Sequence, residues 1–166
     1  MSVTTGQQKT KRNWLILAHC FNMDGRAASQ TITDRLPGLM AKGVTPVVLS
    51  APHGKKDRRF PHFQIFSMAP SGFLFEARHF INNRISSSFG RKLLKALLTL
   101  VLLPFYILEK LCIHLDSQWS WFLGAFIHGI FITNKYKPTI IYSTAGPPST
   151  HLAAFLLSKV LKLPWL

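Results

Sequence analysis

WLILAHCFNMDGRAASQTITDRLPGLMAKGVTPVVL, residues 14–49, reads as a strand, a helix and a second strand in direct succession. Trp14 to Ala18 is a continuous apolar run of strand length, the pattern of a parallel strand buried on both faces. It empties into HCFNMDGRAA, where Asn22, Asp24 and Gly25 supply turn and cap chemistry. Ala28, Ile32, Leu36 and Leu39-Met40 then fall on one helical face. Lys42-Gly43 supplies a basic last turn and a glycine stop. Val44 to Leu49 is the next strand, with Pro46 weakening its first half. A basic loop, APHGKKDRRFPH (51–62), leads to a third candidate strand over Phe63 to Met68. Strand, helix, strand in this order predicts an α/β fold: a Rossmann-like parallel sheet with helices on both faces and right-handed crossovers.

A dinucleotide site does not follow. The first turn carries one glycine, Gly25, rather than G-x-G-x-x-G, and the second strand ends Ser50-Ala51-Pro52 without an acid for a ribose hydroxyl. No Walker sequence occurs. Gly25 still opens two readings: a backbone approach to an anionic or hydroxylated ligand, or a plain helix start with Asp24.

Charge narrows the partners. The 20 Lys and Arg outnumber the 6 Asp and Glu, for a net charge of +14, which favours an anionic partner. Nucleic acid, an acidic membrane leaflet and phosphorylated substrates are the candidates. Residues 1–12 form a basic tail before one domain spanning 13–166, and no secretory signal precedes Trp14. Cys20 and Cys112 lack CxxC spacing, so neither a disulfide framework nor a zinc site is expected, and reduced thiols suit a cytosolic protein.

The region 89–134 is apolar, basic and helical. Between Lys95 and Glu109 lie 13 residues, ALLTLVLLPFYIL, interrupted by Pro104, against the roughly 20 that a bilayer span needs. SQWSWFLGAFIHGIFITN (117–134) is free of formal charge but holds His128, Gln118 and two glycines. Two amphipathic helices lying in a membrane interface fit, with Lys and Arg toward anionic head groups; core helices of the α/β domain are the competing reading. Nucleic acid ranks third: the aromatics sit inside Leu/Ile-rich helices, away from the basic clusters at 55–59 and 91–95, and no nucleic-acid motif occurs.

The last thirty residues are the most specific. Pro138 to Thr144 reads as a strand emptying into Ala145-Gly146-Pro147-Pro148. Ser149-Thr150 would cap the helix HLAAFLLSKVLKL, and a new strand starts at Leu163-Pro164-Trp165-Leu166. Ligands of open α/β sheets sit outside such carboxyl strand ends. Ser143, Thr144, Ser149, Thr150 and His151 line that edge.

KPTIIYSTAGPPSTHLAAFLLSKVLKLPWL (137–166) resembles the amino-terminal, acceptor-side domain of family 4 glycosyltransferases, which have the two-domain GT-B fold. One branch reads strand, Ser/Thr-Gly-Pro-Pro, Ser/Thr, His-Leu, apolar helix and basic-Pro-Trp strand. Gly25-Arg26-Ala27-Ala28-Ser29, and Asp116 with Trp119, agree with that branch. The resemblance implies transfer of a sugar from a nucleotide donor to an acceptor, the donor being gripped by a second Rossmann-like domain that nothing here matches. The family's polar residue beyond the Pro-Trp strand would fall after Leu166. The expectation is therefore a truncated half-domain, inactive alone unless a separate chain completes it.

By the same resemblance, Gly25, Arg26 and Ser29 lie near the acceptor or diphosphate, and Ser143, Gly146, Ser149 and His151 form the opposite wall. His19 is an outside candidate. No metal and no cofactor are expected in this half. A sugar or lipid-linked acceptor, such as one of cell-envelope polysaccharide synthesis, and an anionic membrane surface would be its partners. That places it in the cytoplasm, peripheral on the inner face of the membrane. A non-catalytic membrane-surface or partner-binding α/β protein is the alternative.

Overall fold

A computed structural model describes residues 12–23, 27–144 and 146–166. Strands β1 (Arg12–Leu17), β2 (Val44–Ser50), β3 (His62–Gln64) and β4 (Ile140–Ser143) form one all-parallel sheet in the order β3-β2-β1-β4. The α/β, Rossmann-like expectation holds. Trp165 bridges to Ile141 in parallel, so the chain begins a further position outside β4. Leu15 to Ala18 are fully buried, as a continuous apolar run in a central strand should be.

Both faces are covered. Leu15, Leu17, Val47, Leu49 and Ile141 pack against α5 (Trp121–Tyr136) and α6 (Pro148–Leu161). Ile16, Ala18 and Val48 pack on the other side against Ile32 and Leu36 of α1 (Ala27–Thr33) and α2 (Arg35–Ala41). The single helix expected after β1 is thus two. Pro37 explains the break: lacking an N–H and clashing with the preceding turn, it is tolerated only near a helix start, so the helix restarts at Arg35. Gly43 does end α2, at φ 83°.

The third strand is shorter than expected. Ile65 still donates to the Ser50 carbonyl, but Ser67 turns away because its N–H and hydroxyl both bind Glu76. Three helices then intervene before β4: α3 (Pro70–Arg84), α4 (Ser88–Cys112) and α5. The two stretches proposed as interfacial helices part company here. In α5 the small residues Gly124, Ala125 and Gly129 are buried; a Cβ on Gly129 would come within 2.5 Å of Leu157, so α5 is a core helix.

Helix α4 is the opposite case. Among the described residues its one buried position is Glu109, while Leu100 and Leu111 are 68% and 71% exposed. It leans on α3 alone among the major helix contacts. The Glu109 carboxylate accepts from the Ser71 N–H (2.8 Å), the Ser71 hydroxyl (2.6 Å) and the Trp119 indole (2.7 Å), which pins α4 to the start of α3. Burial pushes this carboxyl up, but the Ser71 and Trp119 bonds outweigh it and hold it below its usual 4.5. Its stabilising contribution is therefore complete above pH 4.5 and drains away as pH falls through the lower folded value. Glu109→Gln should cost about 1.5–3 kcal/mol at neutral pH. Thermal melts should show the gap between wild type and variant closing as the pH is taken down below 4.5, because the wild type loses its charged form as it passes through the lowered folded value.

Candidate functional site

The chain runs outward from β1 to β2 and β3, then returns to place β4 on the other side of β1. That reversal puts a topological switch point between the carboxyl ends of β1 and β4, where open α/β sheets bind ligands. Ala18 continues β1 by donating to Leu49, and Thr144 continues β4 by donating to Leu17. His19 and Cys20 follow on one side, Gly146 on the other. A Cβ added at Gly146 would lie 4.0 Å from the His19 Cβ and 3.6 Å from the Thr150 hydroxyl, so the two loops meet.

The resemblance motif converges on the β4 side. The Ser143 hydroxyl lies 2.9 Å from His151 Nδ1 and accepts from the Trp165 indole N–H at 2.7 Å. Strand end, helix start and the following strand are thereby tied at one oxygen. Ser149 and Thr150 do not cap α6 from outside, as the sequence reading had them; the helix starts at Pro148, and both lie in its first turn. Proline suits that first position because its missing N–H would have had no helical partner. The Ser149 and Thr150 hydroxyls are buried without a hydrogen-bond partner, which is costly unless something meets them.

On the β1 side, Ser29 is buried and its hydroxyl accepts from the Met23 N–H at 2.8 Å, closing the loop after β1. Gly25 and Arg26, the other two residues assigned there, lie outside the described residues. The loop after β2 is zipped to this one. Ala51 donates to His19, Lys55 donates to Asn22, and the Asn22 side chain donates to Lys55. Asn22 adopts a left-handed φ of 54°, which asparagine tolerates better than most residues.

Beneath these loops lies a polar core of which the sequence offered His19 as an outside candidate but not Glu76, Ser67 or His53. His19 Nε2 sits 3.0 Å from Glu76 Oε1, both fully buried. Ser67 donates to the same carboxyl group from its N–H and its hydroxyl, each at 2.6 Å. Burial holds His19 down at about 3, with the Asp116 charge pulling the other way, so the ring is neutral at physiological pH. Burial likewise pushes Glu76 up to about 7 against the Ser67 donors. His53 packs edge-on to His19, with ring centres 4.6 Å apart, and Trp121 packs on its own edge at 5.3 Å. The signal for Glu76 was its company: one of only 6 acids, inside GFLFEARHF. His53 lay in the basic loop with nothing to single it out.

A third cluster orders that basic loop. The Asp57 N–H donates to His62 Nδ1, leaving Nε2 to meet Ser50, and Arg59 grips the Asp57 carboxylate. Burial takes His62 down to about 4. These bonds hold Asp57 and His62 to each other, and no ligand-facing group emerges from them.

No family model, curated protein or solved structure matches this chain. Among the described residues, no helix is long and apolar enough to cross a membrane.

Proposed function

We propose that the chain is the acceptor-side domain of a glycosyltransferase that works on the surface of a membrane. The observation that carries this reading is the meeting of Ser143, His151 and Trp165 at the switch point. These are the residues on which the family 4 resemblance rests. On this reading a nucleotide-sugar donor is held by a second Rossmann-like domain, on this polypeptide or another. The leaving phosphate then departs across the crevice toward helix amino termini and positive charge.

The mechanism that this half supplies is positioning. Ser143 fixes the His151 ring at the carboxyl end of β4, the edge along which an acceptor would be held. Membranes from a host carrying the gene, incubated with a panel of radiolabelled UDP- and GDP-sugars, should transfer label in a chain-dependent way. Ser143→Ala and His151→Ala should each lower that transfer by about a hundredfold, the cost of an acceptor held out of line, with circular dichroism unchanged. Chain-independent labelling with every donor would sink the reading.

Helix α4 favours the membrane half of the proposal and, by itself, a second reading. A 25-residue helix with leucines facing water and Arg91, Lys92 and Lys95 near its start has the composition of an interfacial anchor. A peripheral protein on the inner leaflet of the cytoplasmic membrane is the location that fits. A non-catalytic membrane-surface protein would need α4 but not Ser143. Loss of host phenotype with α4 variants and its retention in Ser143→Ala would favour that alternative.

A further inference from the structure

We propose that His19, Cys20 and His53 bind a divalent metal ion of zinc type. This inference rests on the side chains beneath the switch point and is independent of the sugar-transfer reading. One ligand atom from each of the three residues lies within 4.8 Å of the other two. His19 Nδ1 and Cys20 Sγ are 3.7 Å apart. A nitrogen at about 2.0–2.1 Å and a sulfur at about 2.3 Å from one tetrahedral ion would be separated by about 3.5 Å. The imidazole rings agree too: their centres are 4.6 Å apart and steeply inclined, against about 5 Å for two imidazoles sharing a tetrahedral ion.

The surroundings select the ligand atom. Glu76 engages His19 Nε2, which leaves Nδ1 directed toward Cys20. Carboxylate, imidazole and metal in a line is the usual outer-shell arrangement for a ligating histidine, because the carboxylate fixes the tautomer and raises the basicity of the free nitrogen. Ser67 holds Glu76 in turn, and Trp121 packs on the His19 ring. His19 and His53 are buried, while Cys20 is part exposed and offers the way in. Two nitrogens and a thiolate favour zinc, or cobalt as its spectroscopic substitute, over magnesium or calcium. Three protein ligands leave a fourth tetrahedral position for water or a ligand oxygen.

The test is cobalt titration of the full chain after chelator treatment. One equivalent of Co(II) should develop a sulfur-to-cobalt charge-transfer band and intense tetrahedral visible bands, both displaced by Zn(II). Cys20→Ser should remove the charge-transfer band, and Cys112→Ser should keep it. Glu76→Gln should weaken binding by about 10–100-fold while leaving the band in place. A second measurement needs no variant: Zn(II) should slow alkylation of Cys20 by iodoacetamide without protecting Cys112, read by peptide mass spectrometry. A wild-type chain that develops no charge-transfer band, or whose Cys20 alkylates at the same rate with and without Zn(II), overturns the proposal.

Discussion

Gly54→Ala should disrupt the domain severely. A Cβ at Gly54 would stand 1.8 Å from the Phe21 carbonyl oxygen and 2.8 Å from that of Asn22. Both obstacles are backbone, so no side chain can swing aside. The loops after β1 and β2 must separate by more than an ångström, and that breaks the Lys55–Asn22 bonds that zip them. Overpacking costs about 1–3 kcal/mol where neighbours can yield; here about 3 kcal/mol or more is expected. Urea denaturation measures the loss directly. The same displacement moves His53 away from His19 and Cys20, so cobalt binding should fall with stability. An unchanged denaturation midpoint would mean that the two loops do not approach as described.

Removing the basic start of α4 should have the largest effect on location. Arg91, Lys92 and Lys95 precede the exposed leucines, and Glu109, the helix's acid, is buried against Ser71. A basic residue near an anionic leaflet contributes about 1 kcal/mol, so Arg91→Gln with Lys92→Gln and Lys95→Gln should weaken binding by about a hundredfold. Co-sedimentation with phosphatidylglycerol-containing vesicles reads it. Binding of the wild type should fall with added salt, because exposed charges are screened. Leu100→Asp with Leu108→Asp should abolish what remains, since both side chains face outward and neither supports the core. Equal binding of the triple variant and wild type would remove the electrostatic half of the argument.

The parallel sheet was legible because fully buried strands leave an unbroken apolar run, as at Leu15 to Ala18 and Val47 to Leu49. The two middle helices were not separable by hydropathy. What divides them is small residues: Gly124, Ala125 and Gly129 let α5 approach the sheet and α6, whereas α4 beyond its first turn offers Ala96 among bulky leucines. Ser143 and His151 could be paired from sequence because they are 8 residues apart at one strand-helix turn. Glu76 could not be paired with His19. Its partner lies 57 residues away, and only the turn at Ser67 aims α3 back at the end of β1. The break before α2 was readable in Pro37, a residue that the helical periodicity passed over.

The order of synthesis gives α4 a consequence in time. β1 completes its pairing only when β4 arrives, and Thr139 reaches back 126 residues to the Asn13 carbonyl. At a ribosomal rate of about 5–20 residues per second, β1 waits roughly 6–25 s for that neighbour. Helix α4 emerges during the wait, and its contact with α3 is local enough to form without the finished sheet. Its oily side is therefore presented to the cell before the domain has closed. A nascent chain already resting on a lipid surface would fold there, and one released into water would depend on chaperones through the same interval.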